Sequence, residues 1–436
     1  MTYANAWAAG TLLAIGVNHH TAPLEIRERL ALDSDRWRDS LPRVPHVYLA
    51  TCNRTEAYIW DTDRDTAIGT QVCAALADAA GLSSAGLRPH LFVKRGQDAL
   101  LHLVRVATGL DSMVVGEEQI LVQLRKALRL AGENRTSSPQ LHGVISRVLE
   151  AGRGIRSAGV LGRRPSLASA AVVAVQGAAE LTETGLAGRQ AIVLGAGAMA
   201  RSAARALVDN GAWVSIVNRT LDHAVRLASE LGHTARPAGF AALPDLLTRG
   251  SVLVAATRAQ RPVLDMPTVT AAMTRRDAAP LILVDVALPR NIEPAVRAIP
   301  HVRLIDLDDL ERICPAVVAL QRAEVEQAEV LALQAAQTIS RWLRVRAMSP
   351  TIVELRRQAD AVRTLELRRA AQQLAGLTPE QHSAVEHLTE SIVNKLLHGP
   401  TVALREAAAG CMSSDASQQV LDVLRLDRAR HVVTSA

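Results

Sequence analysis

The chain has 436 residues, with 49 Lys and Arg against 43 Asp and Glu, a net charge of +6, and only 2% aromatic residues. This length exceeds one ordinary core and predicts about two to three domains, while so few aromatics exclude a stacking platform for single-stranded bases and leave any nucleic-acid binding to charge and shape. Four cysteines (Cys52, Cys73, Cys314, Cys411) without C-x-x-C spacing exclude a disulfide framework, argue against a zinc site or any other metal, and point to a reducing compartment.

Hydrophobic residues make up 49% of the chain and the mean hydropathy is +0.11. Met1 to Leu13 shows no basic segment followed by a long apolar one, and no apolar run reaches the roughly 18 residues of a membrane span. A soluble, cytoplasmic protein with no membrane contact is expected. Thr11 to Val17 reads as a strand, Asn18 to Pro23 as a polar turn, and Leu24 to Leu30 as the start of a helix. The apolar runs Val44 to Leu49 and Ala57 to Trp60 flank Thr51-Cys52-Asn53-Arg54. That pattern predicts a β-hairpin tip or a strand-to-loop turn, with Asn53 accepting left-handed backbone angles. Arg54 beside the thiol favours thiolate and could hold a carboxylate with two parallel hydrogen bonds. His19 or His20 could face Cys52 as a base. The plainer alternative is a small buried cysteine, a surface arginine and solvated or capping histidines.

Asp98 to Val106 has helical spacing interrupted by His102, which on such a helix is usually structural. Gly109 to Ile120 gathers two glycines, three acids, a serine and an amide, which suits recognition of an amino acid's ammonium and carboxylate or, equally, a capped helix-loop-helix. Leu121 to Pro165 then carries nine basic residues (Arg125, Lys126, Arg129, Arg135, Arg147, Arg153, Arg156, Arg163, Arg164) against Glu133 and Glu150, a local excess larger than that of the whole chain. It suits a polyanionic substrate part, or is a solvated helical face.

Gly152 to Arg164 reads as a linker and Leu167 to Ala179 as an apolar helix. The strand run Gln190 to Leu194 leads into Gly195-Ala196-Gly197-Ala198-Met199-Ala200, a G-x-G-x-x-A loop opening a helix over Arg201 to Asn210. The first glycine serves the tight turn and the second lets backbone approach a pyrophosphate at the helix N-terminus. Strand Trp213 to Val217 ends in Asn218-Arg219-Thr220, and Arg219, where an acid would read a ribose hydroxyl, favours the 2′-phosphate of NADPH. Ser251 to Ala256 and Leu281 to Val286 continue a parallel sheet. From about Ala316 the pattern turns helical. Glu324 to Val345 is long and free of Gly and Pro; Ser349-Pro350 reads as cap and first position of a helix to about Leu374; Thr378 to Gln381 is a capping box whose helix stops at Gly399-Pro400. Such helices suggest a dimer interface, followed after Ala407 by a small, polar tail.

Together, Gly16 to Pro23, Ala50 to Arg54, Gly109 to Ile120, the dinucleotide loop with Asn218-Arg219-Thr220, Asp285 to Arg290 and Lys395 to Pro400 resemble the glutamyl-tRNA reductase family over most of the chain. The resemblance implies an α/β multidomain protein: an N-terminal α/β catalytic domain over 1–160, a Rossmann-type NADP domain over 161–315, and a C-terminal helical domain over 316–436 holding a spinal helix and the homodimer contacts. It implies an NADPH-dependent reduction of glutamyl-tRNA to glutamate-1-semialdehyde, the first step of tetrapyrrole synthesis. Cys52 would be the nucleophile, forming a thioester, and His102 a second catalytic residue acting by positioning or proton transfer. Thr51, Asn53, Arg54, Ser112, Glu117, Glu118, Gln119 and Gln123 would line the pocket, with Arg54 on the glutamate side-chain carboxylate. Gly195 to Ala200 and Asn218 to Thr220 would bind NADPH. A partnership with the aminomutase that consumes the unstable product is also implied. The chain departs from the family's pattern at Ser157-Ala158-Gly159 and at Ala168. Those departures leave open a glutamyl-tRNA-binding regulatory homologue, while a different oxidoreductase sharing only the dinucleotide domain finds no supporting motif elsewhere.

Overall fold

The computed structural model describes residues 10–31, 45–61, 66–117, 119–160, 166–176, 185–317 and 322–410. Glu118 and the tail from residue 411 lie outside them. The chain divides into two compact units, one running to Ala335 and holding both sheets, the other formed mainly from Ala336 onward.

The first unit begins with β1 (Thr11–Asn18), α1 (Leu24–Leu30), β2 (His46–Ala50), β3 (Arg54–Asp61), α2 (Thr66–Ala79), β4 (Phe92–Arg95), α3 (Gly96–Thr108), α4 (Gln119–Glu133) and α5 (Pro139–Ser157). The four strands form one sheet in the order β2-β3-β1-β4. β2 and β3 are an antiparallel hairpin whose last pair is Ala50 with Thr55, so Thr51–Asn53 is its tip. Gly16 in β1 permits a tight crossing: a Cβ there would stand 2.2 Å from the Thr55 carbonyl oxygen and 2.7 Å from the Glu56 Cα. Leu13, Ile15 and Val17 of β1 join Ala57 and Ile59 of β3 in one apolar core.

The second sheet is parallel throughout, in the order β10-β9-β8-β5-β6-β7. Its strands are β5 (Gln190–Leu194), β6 (Trp213–Val217), β7 (Ala235–Ala238), β8 (Val252–Ala255), β9 (Leu281–Asp285) and β10 (Val302–Ile305). Helices α6 (Leu167–Gln176), α7 (Ala198–Asp209), α8 (Leu221–Leu231), α9 (Leu243–Arg249), α10 (Met266–Met273) and α11 (Leu307–Val317) cover it. Separate apolar clusters fill its two faces, which is why its strands are continuous apolar runs rather than alternating ones. Strand order reverses between β5 and β8, the place where such sheets bind ligands. The α/β multidomain expectation with a doubly wound nucleotide-binding part is met.

α12 (Arg322–Ala347), α13 (Ser349–Arg369) and α14 (Pro379–Ala409) follow among the described residues. In the second unit Met348, Ile352 and Leu355 pack with Leu404 and Ala408. Thr378 and Gln381 form the expected capping box.

Three local expectations are corrected. Residues 152–157 are not linker: α5 runs through Gly152, whose missing side chain lets the helix lie against Leu121 and the Ala107 carbonyl, where a Cβ would meet atoms at 3.0 and 3.2 Å. α14 does not stop at Gly399-Pro400. It continues to Ala409 because burial of Thr401, Leu404 and Ala408 outweighs the bond lost at proline, and Gly410 ends it at φ 78°. Ser349 is not the cap of α13: Met348 holds that place without a side-chain bond, buried in the apolar cluster.

Gly16→Ala should force β1 and β3 apart and cost about 1–3 kcal/mol, read as a lower urea midpoint. An unchanged midpoint would show slack at this crossing.

Candidate active site

The hairpin tip is closed by its own polar groups. The Thr51 N–H donates to the Arg54 carbonyl at 2.9 Å, and the Asn53 N–H donates to Thr51 Oγ1 at 3.1 Å. The left-handed backbone expected of Asn53 is not adopted; among the described residues the non-glycine residues with positive φ are Arg135, Ala278 and His301. The threonine hydroxyl does the work assigned to asparagine.

Beneath the tip lies a buried ionic network. Arg54, Glu56 and Tyr58 alternate along β3 and so share one face. Arg54 Nη1 donates to Glu56 Oε1 and to Asp111 Oδ2, each at 2.8 Å, and Nη2 donates to the Asp111 carbonyl. Tyr58 donates its hydroxyl to Glu56 Oε2, which also meets His102 Nε2 at 3.1 Å. Burial works against the Arg54 charge, but Glu56 and Asp111 outweigh it and hold the guanidinium protonated. Burial likewise works against Glu56, yet His102 and Arg54 bring its carboxyl down to about 2. Glu56, His102 and Asp111 bring three ligand-type atoms within 4.8 Å of one another, but the Arg54 guanidinium already supplies the positive charge to both carboxylates.

Asp111 stands in a turn that the Gly109 backbone starts at φ 77°. A Cβ on Gly109 would lie 3.0 Å from the Glu117 nitrogen, so the turn folds back on itself and returns Glu117 towards the thiol. Ser112 and Glu117 are buried, and Gln119 and Gln123 are partly buried on α4. Among the described residues the turn reaches the tip through Asp111 at Arg54 and Glu117 near Cys52, with Ser112 buried beside Asp111.

Cys52 packs at the edge of the apolar cluster that includes Met113, Val114 and Leu167 and extends under the parallel sheet. The sequence expectation of a favoured thiolate is not met in this arrangement: burial and then the Glu117 charge push the thiol up to about 12, and Arg27 and Arg54 offset only part of that. Burial lifts the Glu117 carboxyl to about 7 against the Leu167 N–H bond and the Arg156 charge. Neither candidate histidine bonds the thiol among the described residues. His19 ties its backbone N–H to the Asn53 carbonyl at 2.9 Å, and burial with the His20 charge lowers its ring to about 3. His20 Nδ1 lies 3.5 Å from Glu311. A cavity of about 820 Å³ beside the network is lined by His102, Asp111, Asn18, Lys94 and Arg105 among others, so His102 and Asp111 face open space. His19 Nδ1, Asn53 Oδ1, Arg54 Nε and Thr55 Oγ1 are buried without a partner, the condition of groups that a ligand would satisfy.

The dinucleotide loop fits a nicotinamide dinucleotide. Gly195 sits at φ 111°, where a Cβ would lie 2.6 Å from the Ala256 carbonyl oxygen at the end of β8. A Cβ on Gly197 would meet nothing within 4 Å, leaving the backbone approachable. Gly197 caps α7 without a side chain, so its first N–H groups stay available to a phosphate. Ala196, Met199 and Ala256 pack against the same apolar cluster as Cys52. Arg219 is exposed just past β6 and Asn218 Nδ2 donates to the Thr220 carbonyl at 2.8 Å.

Glu56 and Asp111 in these roles, and Arg27, were not singled out from sequence. The signal for Glu56 was present: Arg54, Glu56 and Tyr58 are polar residues on one face of a strand that is buried throughout. Iodoacetamide should modify Cys52 slowly at neutral pH, accelerating as pH rises towards about 12. Glu117→Gln removes a neighbouring negative charge and should speed modification at pH 8 by up to about tenfold, one pKa unit's worth, measured by peptide mass spectrometry. An unchanged rate would mean that the thiol does not feel that charge.

Residues 15–158 match the family model described as glutamyl-tRNAGlu reductase, N-terminal domain; 177–313 match shikimate / quinate 5-dehydrogenase; and 327–426 match glutamyl-tRNAGlu reductase, dimerisation domain. The chain is 34% identical to glutamyl-tRNA reductase of Moorella thermoacetica, covering 95% of this chain and 96% of the relative. It is 38% identical to that of Salinispora tropica, over 91% and 88% of the two chains. The structure is similar to glutamyl-tRNA reductase from Methanopyrus kandleri at 30% identity and a TM-score of 0.45, covering 94% and 98%. With relatives of this identity along nearly its whole length, the chain belongs to the glutamyl-tRNA reductase family.

Proposed function

We propose that the protein reduces glutamyl-tRNA to glutamate-1-semialdehyde with NADPH, through a thioester on Cys52, in the first step of tetrapyrrole synthesis. The observation that supports this reading is that Cys52 and the nucleotide-binding edge, at Ala196, Met199 and Ala256, border one extended apolar cluster within a single compact unit. A nucleophile and a hydride site must meet if one acyl group is to be formed at the first and reduced at the second.

In the first step the Cys52 sulfur attacks the ester carbonyl carbon of the bound glutamyl group. The carbon–sulfur bond forms, the ester carbon–oxygen bond breaks, and the tRNA leaves with its terminal hydroxyl reprotonated. Neutralising Glu117 removes a negative charge that raises the thiol and so favours its ionisation. The Arg54 Nε, buried and unpaired, fits the glutamate side-chain carboxylate, and Asn53 Oδ1 and His19 Nδ1 fit ammonium donors. Thr51, Ser112, Glu117, Glu118, Gln119 and Gln123 complete the proposed pocket. His102 acts through Glu56 and from the cavity wall, as a positioning or proton-transfer group. A nicotinamide held at the dinucleotide loop would supply hydride for the reduction, and Cys52 would depart as thiolate when the carbon–sulfur bond breaks. Gly195 to Ala200 would hold the pyrophosphate, and Asn218, Arg219 and Thr220 the ribose, with Arg219 selecting the 2′-phosphate of NADPH.

Arg125, Lys126, Arg129, Arg147 and Arg153 are exposed on α4 and α5 and form a face for the tRNA backbone. The C-terminal helices pair two copies into a homodimer, and the reactive aldehyde suits direct transfer to an aminomutase in the cytoplasm. No helix among the described residues is long and apolar enough to cross a membrane.

Single turnover of glutamyl-tRNA with NADPH tests the route: semialdehyde from the wild type and none from Cys52→Ser is expected, and semialdehyde from both would overturn the thioester. Neutralising Arg125, Lys126 and Arg129 should make the logarithmic salt slope of tRNA binding shallower by about 2 to 3 and leave NADPH binding alone. An unchanged slope would remove this face from the tRNA contact.

A further inference from the structure

We infer that Arg27 is a positioning residue that ties the Cys52 loop to the nucleotide-binding lobe through Asp308, and that Arg290 with Glu28 completes this latch. The inference rests on the proposed thioester route for its catalytic meaning, and on side-chain geometry for its existence.

The latch begins with an incomplete helix. α1 has only seven residues, and Pro23 at its N-cap offers no side-chain bond. Its first N–H, that of Leu24, is taken instead by Asp308 Oδ2 at 3.2 Å, from α11 and 284 positions away. One turn along, Arg27 is fully enclosed and lies on the same face as Leu24. Its guanidinium divides three ways: Nε donates to the Ala22 carbonyl at 3.1 Å, Nη1 to the Cys52 carbonyl at 3.1 Å, and Nη2 to Asp308 Oδ1. A single buried cation therefore joins the turn after β1, the nucleophile loop and the nucleotide-binding lobe.

A second contact runs with opposite polarity. Arg290 donates its backbone N–H to Glu28 Oε1 at 2.6 Å, and its Nε and Nη2 to Glu28 Oε2 at 2.9 and 2.6 Å. Its Nη1 reaches Glu25 at 3.2 Å. The loop that presents Arg290 is itself fixed, because Asp285 accepts the N–H groups of Ala287, Asn291 and Ile292 at 3.0, 2.7 and 2.8 Å. One lobe thus gives Arg27 and receives Arg290. A slide along α1 would bring like charges together, so the crossed pairs define one register. The Asp308 side chain remains 37% exposed, which gives water a route to open the pair.

Acylation of Cys52 needs only the nucleophile loop and the tRNA ester. Reduction needs the acyl group held against the nucleotide-binding edge. Because Arg27 keeps its charge beside the thiol when Asp308 is neutralised, loss of the Asp308 bond bears chiefly on the second step.

Asp308→Asn removes the charge but keeps an oxygen for the Leu24 N–H. Without NADPH, tRNA release and acylation of Cys52, followed by mass spectrometry, should stay within about twofold of wild type, whereas the single-turnover reduction should fall about tenfold, as for a misplaced reacting group. NADPH affinity by fluorescence should not change, and more of the acyl group should be lost as free glutamate. Equal loss of acylation and reduction would make Asp308 merely structural and overturn the latch; so would no change in either. If wild-type Cys52 takes no acyl group, the thioester route fails. Hydrogen exchange of residues 51–54 then decides: faster exchange in Asp308→Asn supports the tether, and unchanged exchange ends it.

Discussion

A single buried guanidinium holds the site together. Arg54 has no exposed side-chain surface, and its charge is tolerated because Glu56 and Asp111 meet it inside the protein. Removing one member of such a set leaves a bare charge in a low-dielectric interior, at a cost of about 3–5 kcal/mol. The three residues come from β3 and from the turn after α3, so the same interaction that neutralises the arginine also docks that turn beneath the hairpin. His102 and Tyr58 close the remaining side of Glu56. The floor under Cys52 is thus over-determined, while Arg54 Nε and Asn53 Oδ1 stay unpaired. Rigidity below and unused hydrogen-bonding capacity above is the division expected of a binding site whose last partners come with the ligand.

The nucleotide-binding lobe solves a different problem. Its parallel strands bury both faces, and its functional edge must let backbone approach a pyrophosphate. Gly195 meets the first demand, turning where any side chain would strike the Ala256 carbonyl, and Gly197 meets the second by presenting nothing. Asp285, at the end of a neighbouring strand, is buried to the point that its carboxyl rises to about 7, yet three backbone N–H groups bind it. It spends its acceptor capacity on loop geometry rather than on chemistry. The lobe therefore presents Arg290 and the dinucleotide loop from one stiff edge.

Much of this was legible locally. Two apolar runs around Thr51 to Asn53 specify a hairpin, a glycine pair after a buried strand specifies a phosphate turn, and Thr378 with Gln381 specifies a capped helix. Each signal lies within a few residues of what it determines. What was illegible depends on partners far away in the chain. The Arg27–Asp308 bond spans 281 positions and the Arg290–Glu28 bonds span 262. In sequence, Arg27 and Glu28 are indistinguishable from the charges of any surface helix. Local rules also lost where packing opposed them: glycine did not end α5 because its missing side chain is what α5 needs against Ala107, and proline did not end α14 because Leu404 and Ala408 lie beyond it. The thiol's environment failed for a related reason. Proximity of Arg54 in sequence does not reveal that its charge is already spent on Glu56 and Asp111.

The raised thiol pKa follows from the same enclosure that the proposed chemistry requires. A thiolate stabilised strongly by neighbouring cations is common but a weaker nucleophile, since nucleophilicity falls with pKa. A thiol kept protonated by burial and by Glu117 is scarce as thiolate but reactive once formed. Neutralising Glu117 removes one of the two influences that raise the thiol and so favours its ionisation. The enclosed arrangement seen here disfavours free thiolate, but a thioester carries no charge and loses nothing by burial. Cys52, half-buried, packs against the extended apolar cluster that Ala196, Met199 and Ala256 also border. On the proposed route, an environment that is poor for forming the thiolate is therefore compatible with holding the uncharged thioester.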